Sequence, residues 1–272
     1  MNEKNTFDLR FVEEGIVGTE FSGRIMHFPS VASTSLLALD AAQSGAREGV
    51  YVADEQTAGR GRGDHKWHSS QLDGLYASAL VTPPIPMDMA LWLPLATALA
   101  AQTALKEVTG LEVDIRWPND LLLDDRKCGG ILVESTAITA DPGAGPMLRY
   151  AVVGVGINVN QKSFPADLNP IATSIRIAGG VVTREVLLIA LLRALDAEIR
   201  SLIEQYRGTL SGPGLLERFA KASSWVKGKR VRVDEGGGYT GVTDGLDSRG
   251  FLRVTGEDGV LRTVISGGVR AQ

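Results

Sequence analysis

The sequence predicts an α+β fold, in which a main sheet flanked by helices is followed by a small all-β unit. Three observations predict it. Short β-rich runs up to Val159 are interrupted by one apolar helical segment, a long amphipathic helix spans 183–206, and beyond residue 226 the apolar positions recur with period two.

After a polar N-terminal stretch, Ser33-Thr34-Ser35 precedes Leu36–Ala42 and Gly45 closes the segment, which is the punctuation of a capped helix starting near Ser35. Strand-like runs follow at 49–53, 75–81, 113–117, 130–135 and 150–159, with a helix over 91–108. Leu121–Lys127 reads as a strand entering a turn, which puts Lys127 where a hairpin returns to the sheet. In the long helix, Val186, Leu187, Leu191, Leu195, Ile199 and Ile203 fall on one side and Glu185, Arg193, Asp196 and Glu204 on the other. A shorter helix over 215–222 follows the break at Gly208–Gly214. Runs at 229–234, 239–246, 250–255 and 261–266, joined by Gly- or Asp-containing turns, predict a small barrel that packs on the main unit, being too short to bury much core alone. The expected division is an N-terminal extension over 1–27, a catalytic domain over 28–225 and a C-terminal domain over 226–272.

The 272 residues, 44% hydrophobic and 22% charged, suffice for one large core and a small second one. With 28 basic against 32 acidic residues the chain carries a formal charge of -4, so neither nucleic acid nor an anionic membrane is an expected partner, and any anion site must be local. One cysteine, Cys128, excludes an internal disulfide framework. Met1–Thr6 lacks the blocks of a secretory signal, and no apolar run reaches the roughly 18 residues of a membrane span, so a cytoplasmic location is expected.

Four motifs carry chemistry. In Gln56-Thr57-Ala58-Gly59-Arg60-Gly61-Arg62-Gly63 the glycines let a backbone approach a ligand while two guanidinium forks suit phosphates or carboxylates, although a flexible loop would look the same. Trp117-Pro118-Asn119-Asp120 puts an amide and a carboxylate at a strand end, where they could merely start a turn or, near a polyphosphate, help to hold Mg²⁺. Lys127-Cys128-Gly129-Gly130 combines a cation with bare backbone; Cys128 has no evident base and reads as a packed thiol. Gly154-Val155-Gly156-Ile157-Asn158 places two glycines on one strand face, opening room for a flat ring or for a close backbone contact.

These four motifs, in this order after Ser33-Thr34-Ser35, resemble those of the biotin protein ligases, and the resemblance runs from about residue 28 to near the end. It implies a class II synthetase-like mixed sheet with flanking helices and an SH3-like C-terminal β-barrel. It also implies an ATP-dependent, AMP-forming enzyme that makes biotinyl-5′-adenylate and transfers biotin to one lysine of the biotin carboxyl carrier domain of acetyl-CoA carboxylase or another biotin-dependent carboxylase. Ser33, Thr34, Ser35 and Gln56 match positions around the biotin ring. Gly59, Arg60, Gly61 and Arg62 match the loop that closes over biotin and adenylate, and Gly130, Gly154 and Gly156 match backbone lining the pocket. Lys127 matches the lysine near the reacting carboxylate and α-phosphate, with Arg62 and Arg60 as further catalytic cations. The nucleotide side takes Arg60, Arg62, His65, Trp67, Asn119, Lys127 and Asn158, and Asp120 takes Mg²⁺. Monomers and homodimers both occur in the family, so association stays open.

Two departures stand out. The family often continues the loop as Arg-Arg-Gly-Arg before Trp, whereas Arg62 is followed here by Gly63-Asp64-His65-Lys66-Trp67, which predicts weaker retention of the adenylate. The common Ser-Thr-Asn becomes Ser33-Thr34-Ser35, which shortens one polar side chain near the biotin pocket or, the reading preferred, exchanges one helix N-cap residue for another. About 27 residues precede the matching region, too few for the DNA-binding helix-turn-helix of many bacterial relatives, so the ligase without the repressor is expected. The rival readings are a lipoate or octanoate ligase, a catalytically silent biotin-sensing protein and, against the charge balance, a nucleic-acid binder.

Overall fold

The structure, a computed structural model, describes residues 7–63, 65–139, 145–265 and 268–272. Met1–Thr6, Asp64 of the departing loop and Ser266 at the end of the last predicted strand lie outside the described residues.

The main sheet is built from β1 (Ile25–Phe28), β2 (Gly49–Ala53), β3 (Gly74–Val81), β4 (Asp114–Arg116), β5 (Asp120–Leu123), β6 (Arg126–Ile138) and β7 (Met147–Asn158). Its order is β1-β2-β3-β7-β6-β5-β4. Only β1 and β2 run parallel, so the sheet is mixed. Every residue of β2 and β3 is buried, because helices cover both faces there. On one face lie α3 (Leu93–Thr109) and α4 (Arg184–Arg207), which share the main core with the sheet. Pro94 opens α3, where a missing N–H costs nothing, and left-handed Gly110 ends it. Its apolar surface is consumed by packing, and among the described residues no helix is long and apolar enough to cross a membrane. On the other face α2 (Thr34–Gln43) packs Ala38 and Ala42 against Tyr51, Leu80, Tyr150 and Val152. It covers only part of that face, and what it leaves bare is the floor of the site.

The polar N-terminal stretch does more than the sequence reading allowed. It forms α1 (Leu9–Gly15), and Phe7, Val12, Ile16 and Phe21 enter the main core. A side chain at Gly15 would stand 2.5 Å from Ile189 of α4. Few apolar residues spread over a polar stretch give no clear period, so neither α1 nor β1 was legible.

After α5 (Leu215–Ala222), β8 (Lys227–Val233), β9 (Tyr239–Leu246), β10 (Leu252–Gly256), β11 (Leu261–Val264) and β12 (Val269–Ala271) form an antiparallel sheet in the order β11-β10-β9-β8-β12. Among the described residues no pairing joins β11 to β12, so the antiparallel sheet is shown and closure into the expected barrel is not. It docks firmly: the Trp92 and Trp117 indoles donate to the carbonyls of Arg249 and Gly250, each at 2.9 Å, and Val231, Val233, Leu252 and Val254 extend the main core.

Candidate active site

The bare part of the sheet face is a cleft of about 810 Å³, a size that suits a small-molecule ligand. One end is a knot of hydroxyls. The Thr34 hydroxyl lies 2.8 Å from the Ser78 hydroxyl, and Ser35 lies 3.0 Å from the same oxygen. Gln56 accepts from the Thr34 backbone N–H at 2.9 Å and donates to Ser69 at 3.0 Å. Ser33 is buried and its hydroxyl has no partner. The expected capping role of Ser35 is corrected here. Ser33 occupies the N-cap of α2, without a side-chain cap bond, and Ser35 sits inside the first turn, facing Ser78. Ser78 was missed by sequence reasoning; its one trace was a hydroxyl within the apolar run of β3.

The floor follows from register. Gly130 pairs with Gly156 and Leu132 with Gly154, so these four share one face. A side chain at Gly154 would stand 2.7 Å from the Ser35 oxygen, and one at Gly156 2.5 Å from the Trp67 Nε1. The room that the glycines make for a flat ring is therefore filled by the chain's own Trp67, whose buried indole N–H has no partner among the described residues.

Trp67 belongs to a small hairpin lid made from the Gly-Arg loop. Arg60 bridges Lys66, Gly61 N–H donates to His65 O at 2.7 Å, and Trp67 N–H donates to Gly59 O at 2.9 Å. His65 and Lys66 are exposed on its returning arm. The two arginines part ways. Arg60 forms a two-pronged pair with Glu134 at 2.8 and 2.9 Å, whereas Arg62 donates to Asn119 Oδ1 at 3.2 Å. Burial lowers the Arg62 pKa against the opposing pull of Asp120 and Glu235, the latter from the C-terminal sheet.

At the far end the β5–β6 hairpin turns on Asp124 and Asp125, both with positive φ, and returns with Lys127 facing the cleft. Lys127 pairs with Asp120 and stands 5.4 Å over the Trp67 ring. Arg116 holds the other Asp120 oxygen at 2.6 Å. Burial works to raise the Asp120 pKa, but Lys127 and Arg116 outweigh it and hold the carboxyl below its ordinary value. The Cys128 thiol is buried and pushed up to about 12, which fits the packed, unreactive role. Asn158 is spent on the scaffold, donating to Thr173 O at 2.9 Å and accepting from Gln161 at 3.3 Å.

The model of the Biotin/lipoate A/B protein ligase family matches residues 28–158. The biotin--[acetyl-CoA-carboxylase] ligase of Mycobacterium tuberculosis is 33% identical over 210 residues, covering 75% of this chain and 71% of that protein. The chain belongs to the biotin protein ligase family. The biotin protein ligase of Aquifex aeolicus, solved in complex with biotin and ATP, superposes with a TM-score of 0.72 at 27% identity over 92% of this chain and 100% of its own. The bifunctional ligase/repressor BirA of Bacillus subtilis is 39% identical over 166 residues, 60% of this chain, which spans about half the length of that relative. As a biotin protein ligase family member, the chain brings Thr34, Ser35, Gln56, Arg60–Arg62, Trp67, Asn119, Asp120, Lys127, Gly130, Gly154 and Gly156 to one cleft, with Ser33 buried at the N-cap beside it in sequence.

Proposed function

We propose that the chain activates biotin as biotinyl-5′-adenylate and transfers it to a lysine of a biotin carboxyl carrier domain of acetyl-CoA carboxylase or another biotin-dependent carboxylase. The observation that carries this reading is the single cleft that joins a buried hydroxyl cluster to a cluster of cations across a glycine floor over which the Trp67 ring lies. A polar ring bound by Thr34, Ser35 and Gln56 would run its acid tail along Gly154, Gly130 and Leu132 to Lys127. One carboxylate oxygen of biotin attacks the α-phosphorus of ATP, the new P–O bond forms and pyrophosphate leaves. The carrier lysine, as free amine, then attacks the carbonyl, AMP departs and the amine loses a proton. Lys127 and Arg62 meet the charge that builds on the α-phosphate, and no protein nucleophile is used.

Asp120, assigned to Mg²⁺ by resemblance, has both oxygens on cations, and among the described residues no group of three or more His, Cys, Asp or Glu side chains could hold a metal ion. That donor set does not fit a resident ion. Mg²⁺ then enters as the counter-ion of ATP, and Asp120 instead aims Lys127 and Arg116. On the same reading Trp67, Asn119, His65 and Asn158 border the nucleotide, Asn158 through the loop it pins. Residues 226–272 constitute an SH3-like domain beside the catalytic domain of 28–225, and within the N-terminal extension of 1–27 helix α1 braces α4.

Biotin-dependent exchange of labelled pyrophosphate into ATP tests the reaction. Exchange should require biotin and fall about a hundredfold to a thousandfold in Lys127→Ala, the usual effect of removing one pre-positioned donor. Exchange without biotin, or supported by lipoate in its place, would refute this reading.

A further inference from the structure

We infer that Glu134 is a positioning residue that latches the Gly-Arg lid shut and so sets how long ligand is held, an inference that rests on the proposed ligase reading for its kinetic part. Side chains alternate along β6, so Glu134 shares its face with Gly130 and Leu132, and it pairs with Val152 beyond the end of the glycine floor. A carboxylate on that face has no place in the α2 packing. It receives the Arg60 guanidinium fork-on at 2.8 and 2.9 Å, the arrangement in which planar carboxylate and guanidinium match best. Arg60 is the first-arm member of the lid's Arg60–Lys66 bridge. The lid is thus fastened at both arms: on the first by Glu134, on the second by the Trp67 ring against Gly130 and Gly156. Arg62, two residues on, is carried into place by the same clamp. Holding the arm before ligand arrives removes part of the ordering cost that binding would otherwise bear. Because the pair is part-exposed, with side-chain accessibilities of 37% and 27%, it is weak enough to open.

Glu134→Gln tests this. It should raise the KM for biotin and the dissociation rate of the adenylate by roughly two- to fivefold, the range of a part-exposed ion pair, with kcat for pyrophosphate exchange unchanged. In the ligand-free protein, tryptic cleavage after Arg62, identified by mass, should quicken by the same factor with no change in Tm. Added salt should quicken cleavage of the wild type more than that of Glu134→Gln, because the variant no longer has the Arg60 pair to screen. The swapped variant R60E/E134R should restore protection that Glu134→Arg alone destroys. Unchanged cleavage and KM would overturn the latch, as would a parallel fall in kcat and Tm, which marks a merely structural role. The proteolysis needs no catalysis, so the latch can stand even if wild-type exchange fails, and can fall even if exchange succeeds.

Discussion

Gly156→Ala is the sharpest perturbation of the floor. Gly156 has no positive φ, so the backbone accepts alanine and only space opposes it. The new methyl carbon would lie 2.5 Å from Trp67 Nε1, 2.6 Å from Cε2 and 3.1 Å from Cδ1, too close for any of them. The ring must shift off the methyl, and the returning arm of the lid, which carries Trp67, shifts with it. Overpacking of this kind costs about 1–3 kcal/mol. If that cost falls on lid closure, biotin affinity drops roughly fivefold to a hundredfold, at about 1.4 kcal/mol per decade. Global stability stays near that of the wild type, since the lid opens without the core. Calorimetric titration with biotin and urea unfolding separate the two, with indole emission compared against Trp67→Phe to assign the signal. Gly145→Ala, where a side chain meets nothing within 4 Å, is the control. Unaltered emission and affinity in Gly156→Ala would refute the placement of Trp67 on the floor.

Ser78→Ala should cost about 1–2 kcal/mol of stability and weaken biotin binding more than ATP binding, because Thr34 and Ser35 lose the oxygen they share; an unchanged biotin affinity would remove Ser78 from the pocket. Asp120→Asn should flatten the acid limb of stability. The folded-state pKa lies below the ordinary 3.8, so the contribution of the carboxylate is fully present above about pH 4 and lost as pH falls through the lower folded value. Urea midpoints from pH 2 to 7 would show it, the variant converging on the wild type at the acid end; equal differences at all pH values would refute the assignment. Trp117→Phe leaves the Gly250 carbonyl without its indole donor and should cost about 1–3 kcal/mol in urea unfolding. A midpoint equal to that of the wild type would show that the docking contact carries nothing.

What was legible in the sequence follows from how each feature is written there. The strands of the sheet centre, α3 and α4 announce themselves by runs and periods, and their observed bounds differ from the expected ones by a few residues. The glycines of β6 and β7 were legible as empty space, and only the fold could say that Trp67 fills it. Ser78 was hidden because a lone hydroxyl in an apolar run looks like an ordinary small core residue. The partner of Arg60 was hidden for a different reason: Glu134 lies 74 residues away on the far arm of a sheet pairing. The preference for a capping over a pocket role in the change to Ser35 came from a helix boundary displaced by one residue, which is the usual scatter of such boundaries.

The charge pattern of the cleft gives the departing loop a physical meaning. Four cations at the reacting end already face carboxylates: Arg60 faces Glu134, Lys127 and Arg116 face Asp120, and Arg62 feels Asp120 and Glu235. A carboxylate or phosphate that enters beside Lys127 and Arg62 therefore exchanges with Asp120 and Glu235, while the Arg60–Glu134 pair stays closed, and it does not fall into an unopposed positive field. Binding by exchange is weaker than binding to bare cations, and it leaves the site neutral enough to stay folded and closed without ligand. A loop with two further arginines would tip that balance toward the adenylate; Gly63 and His65 leave it nearer even. Retention must then depend on geometry more than on net charge, that is, on the lid being held at both arms. This predicts that His65→Arg, at a position with no positive φ, should slow adenylate release in the wild type, and should recover most of the retention lost in Glu134→Gln, when release is followed by chase with unlabelled biotin. No slowing in either background would mean that closure alone, and not the field of the loop, governs how long the intermediate stays.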